Sequence, residues 1–245
     1  MSLLQVKQHT PEWLEVRHGN CTASRVKDAM SFLKKGEKRG GSSEARNKYL
    51  VELLTEKLTG YAVEHCVTPP MEWGIEQERY ARATYEVVQG VDVDLVGIYS
   101  HPTIEGFLAS PDGAVGDDGL VEFKCPNSTT HIAWMLTGVV PKEHLPQLEA
   151  QLSCSERKWV DFMSFDPRLP RRYQRFIKRH YRDDAEIAKI DAGVVSFLAD
   201  RDALIARLDS INPEMPLVEQ LRKSVEMEGG ITDDDIAWAK QHQGS

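Results

Sequence analysis

The chain has 245 residues, of which 41% are hydrophobic and 28% charged, and its formal net charge is -8. This composition supports one large domain with a sizeable core, and no apolar run approaches the roughly 18 residues of a membrane span, which excludes an integral membrane protein. The four cysteines lie far apart without a CxxC pair, so we expect reduced thiols instead of disulfides or a zinc site.

The first part of the chain is predicted to be mostly helical, because apolar residues recur there at three- and four-residue spacing. The predicted elements are, in order, an irregular start up to about Gly19, a helix over about 22–33, a basic Gly/Ser-rich loop over 34–48, a helix that Gly60 ends, and a helix over about 72–88.

The second part changes character, since short β-rich runs alternate with Gly, Asp and Pro turns. The predicted elements are strands within 92–101, 106–116 and 120–125, a hairpin turn at 117–119, a helix over 147–154, a strand pair at 159–165 and 173–179, and a helix over about 184–208. Helices, a β-meander and further helices indicate a mixed α/β (α+β) fold.

Two carboxylates at the predicted hairpin carry the most chemical information. Glu122 and Lys124 lie two residues apart on one strand and therefore face the same side, and the turn can bring Asp112 beside Glu122. Carboxylate oxygens suit Mg²⁺ or Mn²⁺, the backbone carbonyl of Phe123 is a natural further ligand, and the lysine can orient an attacking water. Such a site hydrolyses phosphodiesters. An isolated Glu-x-Lys pair is more often a solvated ion pair, but both segments here are otherwise apolar.

These residues and several others, in order and at compatible spacing, resemble the PD-(D/E)XK nucleases, and most closely the lambda-exonuclease family of phage recombination nucleases (YqaJ-like viral recombinases). The motifs that carry the resemblance are WLEVRHGNCTAS (13–24), EWGIEQE (72–78), SPDG (110–113), LVEFKCP (120–126), HLPQLEAQ (144–151) and FDPR (165–168).

The resemblance implies a restriction-endonuclease-like core, with a central mixed β-sheet flanked by helices. It implies that Asp112, Glu122 and the Phe123 carbonyl hold the metal, that Lys124 is the catalytic lysine, and that Glu78 contributes to the metal site or positions the water. It also implies a pocket for the 5′-phosphate of the digested strand, formed by Arg17, Ser24, Ser110 and Gln147.

Some positions depart from the family pattern. His144 stands where tyrosine is usual and Glu149 where a second glutamine is common, so Gln147 is assigned by spacing and Gln151 is the fallback. Met71 matches the place of an apolar wedge that splits the duplex, and Lys34 lies near a family arginine that enters the minor groove. Met71 as a core residue and Lys34 as a surface charge are the simpler interpretations of these two positions.

The expected function is a processive, Mg²⁺-dependent 5′→3′ exonuclease on double-stranded DNA, which leaves a 3′ overhang for recombination by single-strand annealing. The resemblance implies about two metal ions per site, a ring-shaped homotrimer and an annealing recombinase as partner. A restriction-like or structure-specific endonuclease of the same superfamily is the first alternative. A non-catalytic DNA-binding subunit is the second.

Charge and organisation complete these expectations. Seven arginines and lysines and no acidic residue occur over 167–182, and with the loop at 34–48 they predict salt-dependent contacts to phosphates, or a charged edge strand. We expect one nuclease domain over 1–210 and a C-terminal helical tail over 211–245. The first twenty residues contain no signal-peptide core, so a cytoplasmic location, in a bacterium or phage-infected host, is expected.

Overall fold

The computed structural model describes residues 2–32, 40–63 and 68–211, together with residues 237, 238 and 241. Within them the helices are α1 (Pro11–Arg17), α2 (Val26–Ala29), α3 (Glu44–Thr59), α4 (Pro69–Gln89), α5 (Ser128–Thr137), α6 (Leu145–Ser155) and α7 (Asp184–Ile211). The strands are β1 (Ser2–Leu4), β2 (Cys21–Thr22), β3 (Ile98–Ser100), β4 (Phe107–Ala109), β5 (Gly113–Val115), β6 (Gly119–Lys124), β7 (Trp159–Phe165) and β8 (Arg175–Tyr181).

The strands form two four-stranded mixed sheets, which confirms the mixed α/β class. One sheet has the order β1-β3-β4-β2 and the other the order β5-β6-β7-β8. In the second sheet β5 and β6 form the expected antiparallel hairpin, β6 and β7 run parallel, and β7 and β8 are antiparallel. The parallel pair is connected by α5 and α6, as a crossover requires.

The second sheet is packed on both faces, and this determines what each residue of β6 touches. Val121 and Phe123 face a core cluster to which α4 contributes Ala81 and Tyr85. Because side chains alternate along a strand, Glu122 points to the opposite face, where α6 lies against it. The result is a carboxylate that is only 2% exposed in the middle of the sheet.

Local signals explain the helix ends that were predicted, and also two helices that were not. Gly60 and Gly90 adopt positive φ and end α3 and α4, as expected for left-handed C-caps. The prediction of an irregular start was wrong, because Thr10 caps α1 and Pro11 opens it. Helix α5 was also missed, although Asn127 caps it and Gly138 ends it.

The predicted helix over 22–33 is much shorter in the structure. A 3₁₀ turn at Ala23–Arg25 leads into α2, which ends at Ala29, and residues 33–39 lie outside the described part. The chain divides into two units, residues 1–201 and 202–245. The expected boundary at 210/211 stays a prediction. None of the described helices is both long and apolar enough to cross a lipid bilayer.

The start of β6 depends on the absence of a side chain at Gly119. A Cβ atom placed there would lie 2.1 Å from a ring carbon of Trp159, and the Arg179 guanidinium lies 3.5 Å from the centroid of the same ring. Gly119→Ala therefore forces Trp159 away, and we expect the free energy of unfolding to fall by about 1–3 kcal/mol. Chemical denaturation measures this change.

Gly74 provides the matched control, because it lies inside α4 and the added Cβ would meet no atom within 4 Å apart from the backbone of its own helix and its chain neighbours. Gly74→Ala should raise the free energy of unfolding by about 0.5–1 kcal/mol, as an open helix position does. If the two alanine variants change the free energy of unfolding equally, contact with the Trp159 ring is not what disfavours a side chain at position 119.

Candidate active site

The hairpin places Asp112 against the strand that carries Glu122. Asp112 directly precedes β5, and its Oδ2 accepts a 2.6 Å hydrogen bond from the backbone N–H of Phe123. Two residues earlier, Ser110 follows the end of β4. The juxtaposition expected from the hairpin is therefore present, with the Asp112 carboxylate fixed on the backbone beside Glu122.

Both oxygens of the buried Glu122 carboxylate accept hydrogen bonds. Its Oε1 receives Lys124 Nζ and Gln147 Nε2, each at 2.6 Å, and its Oε2 receives Gln151 Nε2 at 2.6 Å. The two glutamines are four residues apart on α6 and so lie on one face of that helix. Gln151 is fully buried, and Gln147 is half-buried.

A third carboxylate, that of Glu78 on α4, interacts electrostatically with Asp112 and Glu122. Burial, with repulsion from Glu122 and Glu78, raises the pKa of Asp112 well above its usual range. Burial and Glu122 likewise raise the pKa of Glu78, against the opposing charges of Arg82 and Lys124. Burial disfavours the charged ammonium, but Glu122 and Asp112 outweigh it and raise the pKa of Lys124. Acidic groups thus crowd around one lysine.

This crowding suits a divalent cation. Hard carboxylate oxygens are the ligands that Mg²⁺ and Mn²⁺ prefer, and a cation among them relieves their mutual repulsion. Across the part of the chain that the structure describes, no three His, Cys, Asp or Glu side chains form a metal-holding cluster by themselves. A cation here would therefore rest on Asp112, Glu122 and the carbonyl of Phe123, and it would compete with Lys124 and Gln147 for Oε1 of Glu122.

A basic group lies next to this site through Ser110. Arg17 Nη1 and Trp13 Nε1 both donate to Ser110 Oγ at 3.2 Å, and the Arg17 guanidinium stacks 4.1 Å above the Trp13 ring. Arg17 and Ser24 line one cavity of about 510 Å³, in which Ser24 is exposed. An arginine fork with two serine hydroxyls close by is a suitable receptor for a phosphate.

Comparison with known proteins shows the family of the chain. The family model described as "YqaJ-like viral recombinase domain" matches residues 12–158, more than half of the chain. The chain belongs to the YqaJ-like viral recombinase family. Among curated proteins, no sequence matches it.

Solved structures support membership in this family. Two structures of the alkaline exonuclease LHK-Exo from Laribacter hongkongensis, one of them in complex with dAMP, are similar to this chain. Each is 43% identical, with a TM-score of 0.76, and the match covers 83% of this chain and 98% of the LHK-Exo chain. A phage-related exonuclease from Haemophilus somnus 129PT is 15% identical, with a TM-score of 0.60 over 78% of this chain and 97% of that one, and it shows the fold alone. Since the 43%-identical homologue is an exonuclease, the chain is a member of a nuclease family.

The structure brings together most of the site residues predicted for this YqaJ-like protein. The cluster contains the predicted Asp112, Glu122, Lys124, Glu78 and Gln147. Gln147 contacts Glu122, whereas the pocket of Arg17 and Ser110 was its predicted place. Lys34 and the side chain of Met71 lie outside the described residues.

Two groups of the site were missed or left as a second choice. Gln151, the fallback glutamine, joins Gln147 on Glu122, so the two amides act on the same carboxylate. Arg82 was not considered, although it follows Glu78 by four residues on a helix, the spacing at which opposite charges meet.

Part of the basic stretch over 167–182 is neutralised by acidic residues of the fold. Arg168 donates to Asp166, and Arg179 donates to Asp161 with two nitrogens. Arg182 pairs with Asp184. Arg175 and Lys178 of β8 are exposed. Several arginines of the segment therefore form ion pairs within the fold. Fewer of its positive charges remain to contact a phosphate backbone.

The contacts of Glu122 predict a difference between its two glutamines. Gln151→Leu leaves a fully buried carboxylate oxygen without its donor, so we expect the free energy of unfolding to fall by about 2 kcal/mol. Gln147→Leu should cost less than about 1 kcal/mol, because Lys124 still donates to the same oxygen. Urea denaturation at pH 8 measures both, and a larger loss for Gln147→Leu would contradict this division.

Proposed function

We propose that this protein is a processive, Mg²⁺-dependent 5′→3′ exonuclease on double-stranded DNA. It digests the 5′-phosphorylated strand to mononucleotides and leaves a 3′ overhang for recombination by single-strand annealing. One observation carries the proposal: the carboxylate–lysine cluster around Glu122 is connected, through Asp112 and Ser110 of one short segment, to the Arg17 guanidinium. A hydrolytic centre and a phosphate receptor are thereby held next to each other.

The cluster suits hydrolysis of a phosphodiester. Asp112, Glu122 and the Phe123 carbonyl would hold the metal, in about two ions per site, and bound there it would supply water activation and stabilisation of negative charge on the phosphate. Gln147 and Gln151 hold the Glu122 carboxylate in place. Lys124 carries its positive charge beside Glu122 and orients the attacking water, and Glu78 helps to position that water.

End recognition follows from the second group. Arg17 offers a planar fork of donors to a terminal phosphate, and Ser110 and Ser24 add hydroxyl groups. If the receptor holds the terminal phosphate at a fixed distance from the hydrolytic centre, the phosphodiester after the first nucleotide would lie at that centre. This accounts for exonuclease action, since an internal phosphodiester presents no terminal phosphate to Arg17.

A relative supports the mononucleotide product. LHK-Exo, which is 43% identical to this chain, is an alkaline exonuclease whose structure contains dAMP, a nucleoside monophosphate. Release of such a product from each 5′ end is the reaction that we propose here.

The proposal also includes the oligomeric state, a partner protein and the cellular location. Processive digestion is best explained by a ring-shaped homotrimer that encloses the duplex. An annealing recombinase would load on the new overhang, in the cytoplasm of a bacterium or phage-infected host. Residues 1–210 would form the nuclease domain and residues 211–245 a helical tail.

The first test uses linear duplex DNA with 5′-phosphate ends, the same DNA with 5′-hydroxyl ends, and a closed circle. We expect rapid release of mononucleotides from the phosphorylated ends in Mg²⁺, no cleavage of the circle, and loss of all cleavage in Asp112→Asn while duplex binding persists. Nicking of the circle by the wild-type protein would instead support the endonuclease alternative.

The phosphate receptor predicts the behaviour of Arg17→Ala. Loss of the guanidinium should reduce kcat/KM on 5′-phosphorylated ends by about 100-fold, as expected for a charge-assisted contact worth about 3 kcal/mol. On 5′-hydroxyl ends the same variant should lose less than about threefold. Steady-state digestion of both substrates measures the ratio. Arg157→Ala, which removes hydrogen bonds to the carbonyls of Gly116 and Gly119, is a control for a general loss of arginine. Equal losses on both ends would place the receptor elsewhere.

A further inference from the structure

His9 adopts a backbone conformation that L residues rarely take. Its φ is 63°, and among the described residues only Glu156, with φ 57°, also combines a positive φ with a side chain. Glu156 is the C-cap of α6, where a left-handed residue commonly ends a helix. His9 ends no helix, so its conformation calls for another explanation. Residues held in strained conformations cluster at binding and catalytic sites.

The neighbours of His9 hold it in this conformation. Gln8 donates through Nε2 to the carbonyls of Pro111, at 2.7 Å, and Val96, at 3.1 Å. On the other side, Thr10 donates to the carbonyl of Lys7 and accepts the N–H of Trp13 as the N-cap of α1. His9 is therefore confined between two anchored residues, Gln8 and Thr10. Gln8 is anchored on the carbonyl of Pro111, the residue next to Asp112.

The segment around His9 forms a wall of a cavity that two of the three candidate carboxylates, Glu78 and Asp112, also line. This cavity has a volume of about 390 Å³ and is lined by residues 5–9 and 95–97 with Glu78, Arg82 and Asp112. Segment 4–6 packs tightly against Gly97, where an added Cβ would lie 2.0 Å from the Leu4 carbonyl oxygen. The wall is therefore closely fitted, and His9 is exposed within it.

The imidazole continues an aromatic surface that begins at the phosphate receptor. Its ring lies 5.4 Å from the Trp13 ring, and Trp13 in turn carries the Arg17 guanidinium. Partial desolvation and the charge of Arg17 lower the pKa of His9 and so favour the neutral form of its ring. A neutral ring offers a flat surface for stacking, while cations for phosphate groups are supplied nearby by Lys7 and Arg82.

We propose that His9 is a substrate-binding residue whose ring stacks on the nucleobase of the 5′-terminal nucleotide while the phosphodiester of that nucleotide lies at Asp112 and Glu122. This inference rests on the proposed exonuclease function. The strained backbone is retained because the ring is required in this cavity; glycine would fit the conformation without strain but would offer no stacking surface.

The test combines a protein variant with a substrate variant. Single-turnover release of the first nucleotide is measured on a 5′-phosphorylated duplex with either an intact or an abasic terminal nucleotide. Wild-type protein should lose about 10-fold on the abasic end, within the range for stacking of one base. His9→Gly should lose about 10-fold on the intact end and nothing further on the abasic end.

Stability separates this role from a structural one. His9→Gly relieves a positive φ, so its Tm should be unchanged or higher by about 2–4 °C although its rate falls. Glu156→Gly is the matched control, because it relieves the other positive φ and should keep the wild-type rate on both ends. His9→Asn, which tolerates the left-handed conformation but has no aromatic ring, should behave as His9→Gly does.

The outcomes separate the role of His9 from the exonuclease function. A His9→Gly variant with the full rate on intact ends, or with equal losses on intact and abasic ends, would overturn the role of His9 while the exonuclease function stands. A wild-type protein that releases no nucleotide from any end would refute the proposed function, and the role of His9 would fall with it.

Discussion

The buried Glu122 carboxylate is the interaction on which the rest of the site depends. A charge that is 2% exposed is costly unless donors surround it, and here Lys124 comes from its own strand while Gln147 and Gln151 come from α6. Each hydrogen bond to a charged group contributes about 1.5–3 kcal/mol. The packing of α6 on the sheet therefore supplies two of the three donors that stabilise the buried Glu122 carboxylate.

The same strand serves two purposes because its side chains alternate. Val121 and Phe123 hold the sheet on α4 through apolar contacts, and Glu122 between them is presented to α6. The backbone also contributes, since the N–H of Phe123 fixes Asp112. One short strand thus anchors the core and supplies the functional groups, and a shift of one residue in its register would exchange the two faces.

Strand period and the predicted turn led to the fold class, the hairpin and the grouping of Asp112, Glu122 and Lys124. Glu78 came from the family resemblance, which also placed Gln147 in the phosphate pocket instead of on Glu122. Sequence reasoning missed α1 and α5, whose caps at Thr10 and Asn127 were present but were not weighed. It left Gln151 as a second choice, since a helical spacing of four does not say which strand the helix covers. The positive φ of His9 was not predicted, and the residue before it, Gln8, is held by a partner as distant in sequence as Pro111.

The distribution of positive charge bears on the proposed recognition of a DNA end. The chain is acidic overall, and Arg168 and Arg179 are engaged by carboxylates of the fold. Arg17 has a different environment: its fork contacts a serine hydroxyl and an aromatic ring, both neutral, and Glu56 acts on it electrostatically. Burial lowers the pKa of Arg17, which shows how poorly solvated this charge is. A poorly solvated guanidinium with neutral hydrogen-bonding partners gains much from a terminal phosphate. In the function proposed above, Arg17 would therefore concentrate affinity at the terminal nucleotide.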